Sequence, residues 1–252
     1  MTARLAWLAG WLLAATGAVA AANEPSDAER EGRRFVEQLL QQRPAENSIF
    51  TGVLKIRDGK SRRAVVPVKC QVIVTATNWL SVYEAWPQTN TSQTITLIVT
   101  HDDTNPNQYQ LTESAGSGQR VATPTALTGG QTMIPFAGSD FWVADLGMEF
   151  FHWPAQKVLK KELRSSQSCT VLESASLKPD ATGYVRVVSW IGTETGGIIH
   201  ADAYDVKGKL LKQFEPKVVV KDVNGHWQLQ EMEIRNTQTG SRTSLKFNLD
   251  AK

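Results

Sequence analysis

The feature that most constrains the fold is an alternation of apolar and polar residues that recurs from Ile49 to Leu249. Within 64–77, for example, every second residue from Val66 to Val74 is Val or Cys, as expected for a strand with one buried face. Turn sequences rich in Gly, Asn and Asp separate these segments at intervals of roughly 10 to 15 residues. The pattern is typical of antiparallel strands joined in sequence by hairpins.

One departure from this alternation precedes the strands and predicts a helix over residues 26–42. Ser26 and Glu29 have the spacing of a capping box, in which each side chain accepts a hydrogen bond from the other residue's backbone N–H. Pro44 follows the pattern and should end the helix. Its apolar stripe, at helical spacing, consists of Phe35, Val36, Leu39 and Leu40.

The second departure is Gly138–Trp153, which holds five of the chain's 20 aromatic residues in 16 positions. Apolar residues recur there at spacings of three and four, which predicts a short helix over 139–152. Ser139 or Asp140 should cap its start, and Gly147 should divide it into two pieces. Its aromatic side chains form either plain core or core that also lines a ligand cavity.

Together these elements predict one mainly-β domain over residues 21–252. We expect an unclosed antiparallel β-barrel, or half-barrel, of about eleven strands with an N-terminal helix and a mid-chain helical lid. A sheet this wide curls because its strands twist, and its concave face must then be covered. The two helices supply that cover, and covered concave sheets are common sites for apolar ligands.

The first 20 residues have the features of an export signal peptide. Arg4 precedes an apolar run over 5–15, and Ala18-Val19-Ala20 has the small-x-small pattern of a cleavage site. No cysteine follows for lipid attachment, so we expect a periplasmic protein with a cleaved signal and no lipid anchor. The 27 basic and 25 acidic residues nearly balance, and we therefore expect no nucleic-acid partner.

The two cysteines, Cys70 and Cys169, permit a single disulfide in an oxidising compartment. Two separate buried thiols are an equally good interpretation, because the sequence does not reveal the distance between them. Both alternatives remain open at this stage.

No short motif specifies catalysis or a cofactor. His101-Asp102-Asp103 contains metal-ligand residue types, but it lies in a segment rich in Asp and Asn, where turn chemistry explains it better. Asp145 and Glu149 lie one helical turn apart and could hold a carboxyl with a raised pKa among the aromatic residues, but we expect them at the solvated outer edge of the lid. We therefore expect no catalytic residues, no metal and no cofactor. An exported hydrolase that uses His101 or a scattered carboxylate pair is the weakest alternative.

One set of segments is informative through its order and spacing. These segments are Gly138–Phe141 with Asp145-Leu146, Trp190-Ile191, Tyr204–Lys212, Gly225–Trp227, Glu233–Asn236, Thr239-Gly240 and Thr243. Together they resemble the outer-membrane lipoprotein-sorting proteins, a family whose fold is that of the periplasmic lipoprotein carrier LolA. The resemblance covers roughly residues 70 to 249 and does not depend on any one motif.

This resemblance implies an unclosed barrel whose helices cover an apolar trough that receives acyl chains. It predicts a periplasmic, monomeric carrier of lipoproteins or lipids that works with an inner-membrane transporter or an outer-membrane acceptor. The alternative on the same fold is an envelope sensor that binds lipoproteins and signals to a membrane partner. The residues expected to line the trough and its lid are Phe141, Trp142, Leu146, Phe150, Phe151, Trp79, Trp190 and Tyr204.

Overall fold

The computed structural model describes residues 24–87, 93–102, 105–114, 123–177, 183–222, 225 and 227–249. The predicted signal peptide, residues 1–20, lies outside this part of the chain. Within the described residues, no helix combines the length and hydrophobicity needed to cross a membrane.

The described chain folds into thirteen strands in one sheet and two α-helices, which confirms the mainly-β prediction. The sheet has two strands more than the roughly eleven predicted, and the shortest of its strands is the three-residue β6. The helices are α1 (Asp27–Leu40) and α2 (Val143–Leu146). The strands are β1 (Ser48–Arg57), β2 (Arg63–Val74), β3 (Trp79–Ala85), β4 (Thr94–His101), β5 (Gln108–Ser114), β6 (Thr125–Leu127), β7 (Ala155–Arg164), β8 (Gln167–Ala175), β9 (Tyr184–Gly192), β10 (Ile198–Asp205), β11 (Leu210–Lys221), β12 (Trp227–Asn236) and β13 (Arg242–Phe247).

The sheet consists of two meanders joined where the first strand pairs with the last. Its order is β6-β5-β4-β3-β2-β1-β13-β12-β11-β10-β9-β8-β7, and the pairs are antiparallel. The two edge strands, β6 and β7, are therefore neighbours in the chain but stand at opposite sides of the sheet. The unclosed barrel predicted from the sequence is confirmed.

The lid, defined here as residues 129–153, connects these two edges. It contains two single-turn 3-10 helices, Gly129–Thr132 and Glu149–His152, in addition to α2. Gly147 separates α2 from the second 3-10 helix, as predicted.

The predicted cap of the lid helix was wrong, because α2 begins later, after Trp142. Asp140 instead binds β13: its carboxylate accepts hydrogen bonds from Ser241 at 2.5 Å and Thr243 at 2.9 Å. Ser139 donates to the Phe136 carbonyl oxygen at 2.7 Å. Both side chains that were expected to cap the helix therefore anchor the loop that leads into it.

Helix α1 begins with the predicted capping box. The Ser26 hydroxyl accepts from the Glu29 N–H at 3.3 Å, and the Ser26 N–H donates to the Glu29 carboxylate at 2.7 Å. The helix packs against edge strand β7, where Gly32 is buried. Beyond its end, Arg43 donates to the Asn78 carbonyl oxygen at 2.9 Å. This segment thus reaches from β7 to the turn between β2 and β3.

The two cysteines are buried free thiols, so the structure contradicts a disulfide between Cys70 and Cys169. Cys70 lies on β2 and Cys169 on β8, with six strands of the sheet between them. Burial raises the pKa of the Cys70 thiol to about 11, which keeps it protonated and unreactive at neutral pH.

We expect the Gly32→Ala substitution to destabilise the protein by about 1 to 3 kcal/mol, as overpacking of a close contact does. A Cβ atom at this position would lie 2.6 Å from backbone atoms of Gln156 and Lys157, which cannot rotate away. The measurement is the free energy of unfolding in urea, with exposed Arg34→Ala on the same helix as the control. A Gly32→Ala variant at least as stable as wild type would contradict the close packing of α1 on β7.

Candidate functional site

A cavity of about 880 Å³ lies between the concave face of the sheet and the lid. Its size is at the upper end of the roughly 300 to 1,000 Å³ that small-molecule sites usually have. Most of the side chains around it are apolar, and they come from α1, the lid and the central strands. They include Leu39 and Leu40 of α1, Phe141, Leu146, Phe150 and Phe151 of the lid, and Phe214, Met232, Ile234, Leu245 and Phe247 of the sheet.

Five of the eight residues predicted to line the trough are at this cavity. They are Trp79, Phe141, Leu146, Phe150 and Phe151. The four lid residues lie at one place although they do not share a helix: only Leu146 belongs to α2, and Phe150 and Phe151 belong to the second 3-10 helix. The structure places these side chains around one space, and their role toward a ligand remains a prediction.

Trp142 has a different position from the one predicted. Its ring stacks on Tyr184 with 5.7 Å between ring centroids, and the Lys212 ammonium lies 3.5 Å from the Trp142 ring centroid. The ring does not contribute to the lining of the cavity. Trp142 therefore covers a buried charge.

The placement of Trp190 and Tyr204 in the trough was wrong. Both side chains lie on the other face of the sheet, where Arg164 sits 4.4 Å from the Trp190 ring and Arg186 sits 3.9 Å from the Tyr204 ring. Their neighbours Ile191 and Ala203 take the inward positions. Because strand side chains alternate between faces, a one-residue uncertainty in register is sufficient to reverse the assignment.

The lid is attached to the sheet by a buried ion pair that the sequence analysis did not identify. Lys212 of β11 and Asp145 of α2 have side chains with 0% and 1% exposure, and Nζ lies 2.7 Å from Oδ2. Lys212 also donates to the Asp140 carbonyl oxygen at 2.8 Å, and Tyr184 donates to the Asp145 carboxylate at 2.7 Å. We call Lys212, Asp145, Tyr184 and the Asp140 carbonyl the lid latch.

The electrostatics of the lid latch follow from its burial. Removal from water lowers the pKa of Lys212 to about 8, and the neighbouring Asp145 carboxylate opposes this change. The expectation that Asp145 lies at a solvated edge was therefore wrong. One signal was available in the sequence: Lys212 takes the alternate strand position between Leu210 and Phe214, where a residue on an apolar face is expected.

Polar contacts from β5, from Asn107 just before it and from β7 hold the remainder of the lid. Tyr109 donates to the Glu149 carboxylate at 2.8 Å, and Asn107 donates to the Gly147 carbonyl oxygen at 2.7 Å. Gln156 donates to the Phe150 carbonyl oxygen at 3.0 Å. Burial raises the pKa of Glu149, while the hydrogen bond from Tyr109 acts in the opposite direction. Glu149 thus also faces the protein rather than the solvent.

His101 forms part of the cavity wall and is buried. Its ring stacks on Trp79 with 3.7 Å between centroids, and its Nε2 lies 3.1 Å from the Ser81 Oγ. Burial, with a smaller contribution from His152, lowers the pKa of His101 to about 4. The imidazole is therefore neutral at pH 7.

The polar turn that follows His101 has the expected turn chemistry. Asp102 accepts a hydrogen bond from the Asn105 N–H at 2.9 Å, whereas Asp103 lies outside the described residues. Among the residues that the structure describes, no group of three or more His, Cys, Asp or Glu side chains is placed to hold a metal ion.

Three solved structures share this architecture. A putative outer-membrane lipoprotein-sorting protein domain from Vibrio parahaemolyticus superposes with a TM-score of 0.71 at 18% identity, over 88% of this chain and 92% of the other. A LolA superfamily protein from Nitrosomonas europaea gives 0.59 at 12% identity, over 89% and 93%. A DUF1329 family protein from Desulfovibrio piger gives 0.72 at 18% identity, over 88% and 92%.

The chain therefore shares its fold with these three proteins, and the LolA-like fold that the resemblance predicts is confirmed. A model for a family of uncharacterized proteins matches residues 92–249, which is more than half of the chain. The chain belongs to that family. No curated protein matches it.

We expect replacement of either charged member of the lid latch to be costly. Lys212→Met leaves a buried carboxylate without its cation, and Asp145→Asn leaves a buried ammonium without its anion. Each should reduce the free energy of unfolding by roughly 3 to 5 kcal/mol. The double variant should cost less than the sum of the two, as urea denaturation of all four proteins would measure.

The control for this double-mutant cycle is the partly exposed ion pair of Lys69 and Glu84, whose charged atoms are 3.0 Å apart. Lys69→Met should cost less than about 1 kcal/mol. Strictly additive effects of the two latch substitutions would contradict a direct interaction between Lys212 and Asp145.

The lowered pKa of His101 predicts a loss of stability in acid. In the unfolded chain the His101 imidazole takes up a proton near pH 6.5, whereas in the folded protein it does so only near pH 4. The neutral imidazole therefore contributes fully to the free energy of unfolding above pH 6.5, and this contribution disappears as the pH falls to 4. It amounts to about 3 kcal/mol. His101→Phe can keep the stack on Trp79 but cannot titrate, so its free energy of unfolding should change less over this range.

Ser81→Ala serves as the control, because it removes the contact to His101 Nε2 and leaves the imidazole in place. It should retain the acid sensitivity of the wild type. Equal pH slopes for His101→Phe and wild type, measured by urea denaturation at several pH values, would contradict the prediction.

Proposed function

We propose that this chain is a periplasmic carrier or binding protein that holds acyl chains of lipoproteins or lipids for transfer towards the outer membrane. The observation that carries the proposal is the apolar cavity of about 880 Å³ beneath the lid. The fold shared with LolA-like proteins supports the same assignment.

Apolar burial supplies enough free energy for this role without covalent chemistry. Each methylene group removed from water contributes about 0.8 kcal/mol, so a dozen would contribute roughly 10 kcal/mol before the costs of association. The lid side chains Phe141, Leu146, Phe150 and Phe151 lie around the space that such a chain would occupy. They would cover the cavity when it is empty and contact the methylene groups when it is filled.

The cavity extends to one end of the sheet, where turns between strands lie close to the C-terminal end of α1. We call this end of the cavity the mouth. Its wall there includes Arg43, the β9–β10 turn at 193–197 and the start of β12. An acyl chain entering at the mouth would pass toward the lid with its polar group left near solvent. This arrangement suits amphipathic ligands, in which one end is apolar and the other is hydrated.

The cellular setting of the proposal is the space between the two membranes. The export signal predicted at residues 1–20 would direct the chain to that space. Its partners would be an inner-membrane transporter that supplies the ligand or an outer-membrane acceptor that receives it. Transfer between such partners needs reversible binding, which burial of an acyl chain provides.

We expect Met232→Glu to weaken binding of an environment-sensitive fluorescent fatty acid by about tenfold or more, because the acyl chain would have to desolvate a carboxylate. Met232 lines the cavity and is only partly buried, so the substitution should leave the fold intact. Fluorescence titration gives the affinity. The matched control is Leu163→Glu on β7, where the replaced side chain is 77% exposed.

The control should bind as tightly as wild type. Absence of saturable binding to wild type, or equal loss of affinity in both variants, would contradict acyl binding in this cavity.

A further inference from the structure

We propose that the end of the β11–β12 hairpin docks the mouth of the cavity on a lipid bilayer. The inference rests on the proposed function only in that this function explains why docking would be useful. The evidence for docking itself is the arrangement of three side chains. Val219, Trp227 and Leu229 line the cavity and yet are 46%, 51% and 41% exposed. Apolar surface of this kind usually marks a place of contact.

Paired irregularities in the two strands produce this arrangement. Pro216 of β11 faces Met232 of β12, and the next inward pair is Val219 with Leu229. The spacing on each strand is three residues instead of two, because register shifts occur on both sides of Val218. Each strand thus carries one extra residue, and on β12 the inward position after Met232 is taken by Leu229 instead of the polar Gln230.

The hairpin also has the residue types that favour a membrane interface. Lys221 pairs with Trp227 across the two strands, and its ammonium lies 4.6 Å from the Trp227 ring centroid. Tryptophan and lysine are enriched where a protein meets lipid head groups, because each joins an apolar body to a polar tip. A Trp–Lys pair beside two aliphatic side chains therefore suits shallow insertion among head groups.

The size of the exposed surface favours a bilayer over a protein partner. Stable protein interfaces bury about 800 Å² on each side, far more than three partly exposed side chains offer. A bilayer needs no such area, since each apolar side chain partitions separately and the contact stays reversible. The surface is also continuous with the cavity wall, so an acyl chain would move between bilayer and cavity without crossing water.

The test measures flotation of residues 21–252, the chain expected after signal cleavage, with vesicles made of phosphatidylethanolamine and a minor fraction of phosphatidylglycerol. We expect wild type to float with the vesicles. The partition coefficient of the triple variant V219S/W227S/L229S should be lower by about tenfold or more. Trp227→Ser alone should show an intermediate loss. The matched control is Trp86→Ser, which replaces a 38% exposed tryptophan. Trp86 follows the C-terminal end of β3, whereas the cavity is lined by Trp79 at the other end of this strand.

Binding of the fluorescent fatty acid in the absence of vesicles separates this inference from the proposed function. A wild type that binds the fatty acid but does not float overturns the docking inference alone. A triple variant or Trp227→Ser that floats as well as wild type overturns it also, as does an equal loss in Trp86→Ser. A wild type and a Trp86→Ser variant that both float, while the hairpin variants do not, support docking through this hairpin.

Discussion

The connection between the two edges of the sheet is the constraint on which the remaining architecture depends. Because β6 and β7 are consecutive in the chain but lie at opposite edges, the residues between them must cross the sheet. They cross the concave face, which carries the apolar side chains of the central strands. A cover over that face is therefore a consequence of the strand order, and neither a hinge nor a second domain is needed to provide it.

The lid latch fixes where along the sheet this crossing occurs. Burying two charges is expensive, and an ion pair offsets the cost only when its other hydrogen-bonding groups are also satisfied. Lys212 meets this condition through the Asp145 carboxylate, the Asp140 carbonyl oxygen and the face of Trp142. Asp145 also accepts from Tyr184 and from the Trp142 N–H. Such a pair contributes less to net stability than to the choice of a single lid position.

The sequence was informative wherever the signal was local. The capping box at Ser26, the division of the lid at Gly147 and the hairpin turns all depend on residues close together in the chain. The latch was missed because Asp145 and Lys212 are 67 residues apart, and only the paired strands bring them together. Trp190 was assigned to the wrong face because the register of a strand is set by its neighbours. Composition cannot supply that information.

The contacts of the lid also explain why the cavity is not filled by collapse of the lid onto the sheet. At the level of the latch the lid is closely packed, and Val143 and Ala144 are fully buried. Beyond it, the segment from Leu146 to Phe151 covers empty space, although closer packing would gain dispersion contacts. Its backbone is held by polar side chains, since Asn107, just before β5, donates to the Gly147 carbonyl oxygen and Gln156 of β7 donates to the Phe150 carbonyl oxygen. Collapse would break these buried hydrogen bonds, and their loss opposes the gain from packing. The contacts that hold the lid closed therefore also preserve the space beneath it.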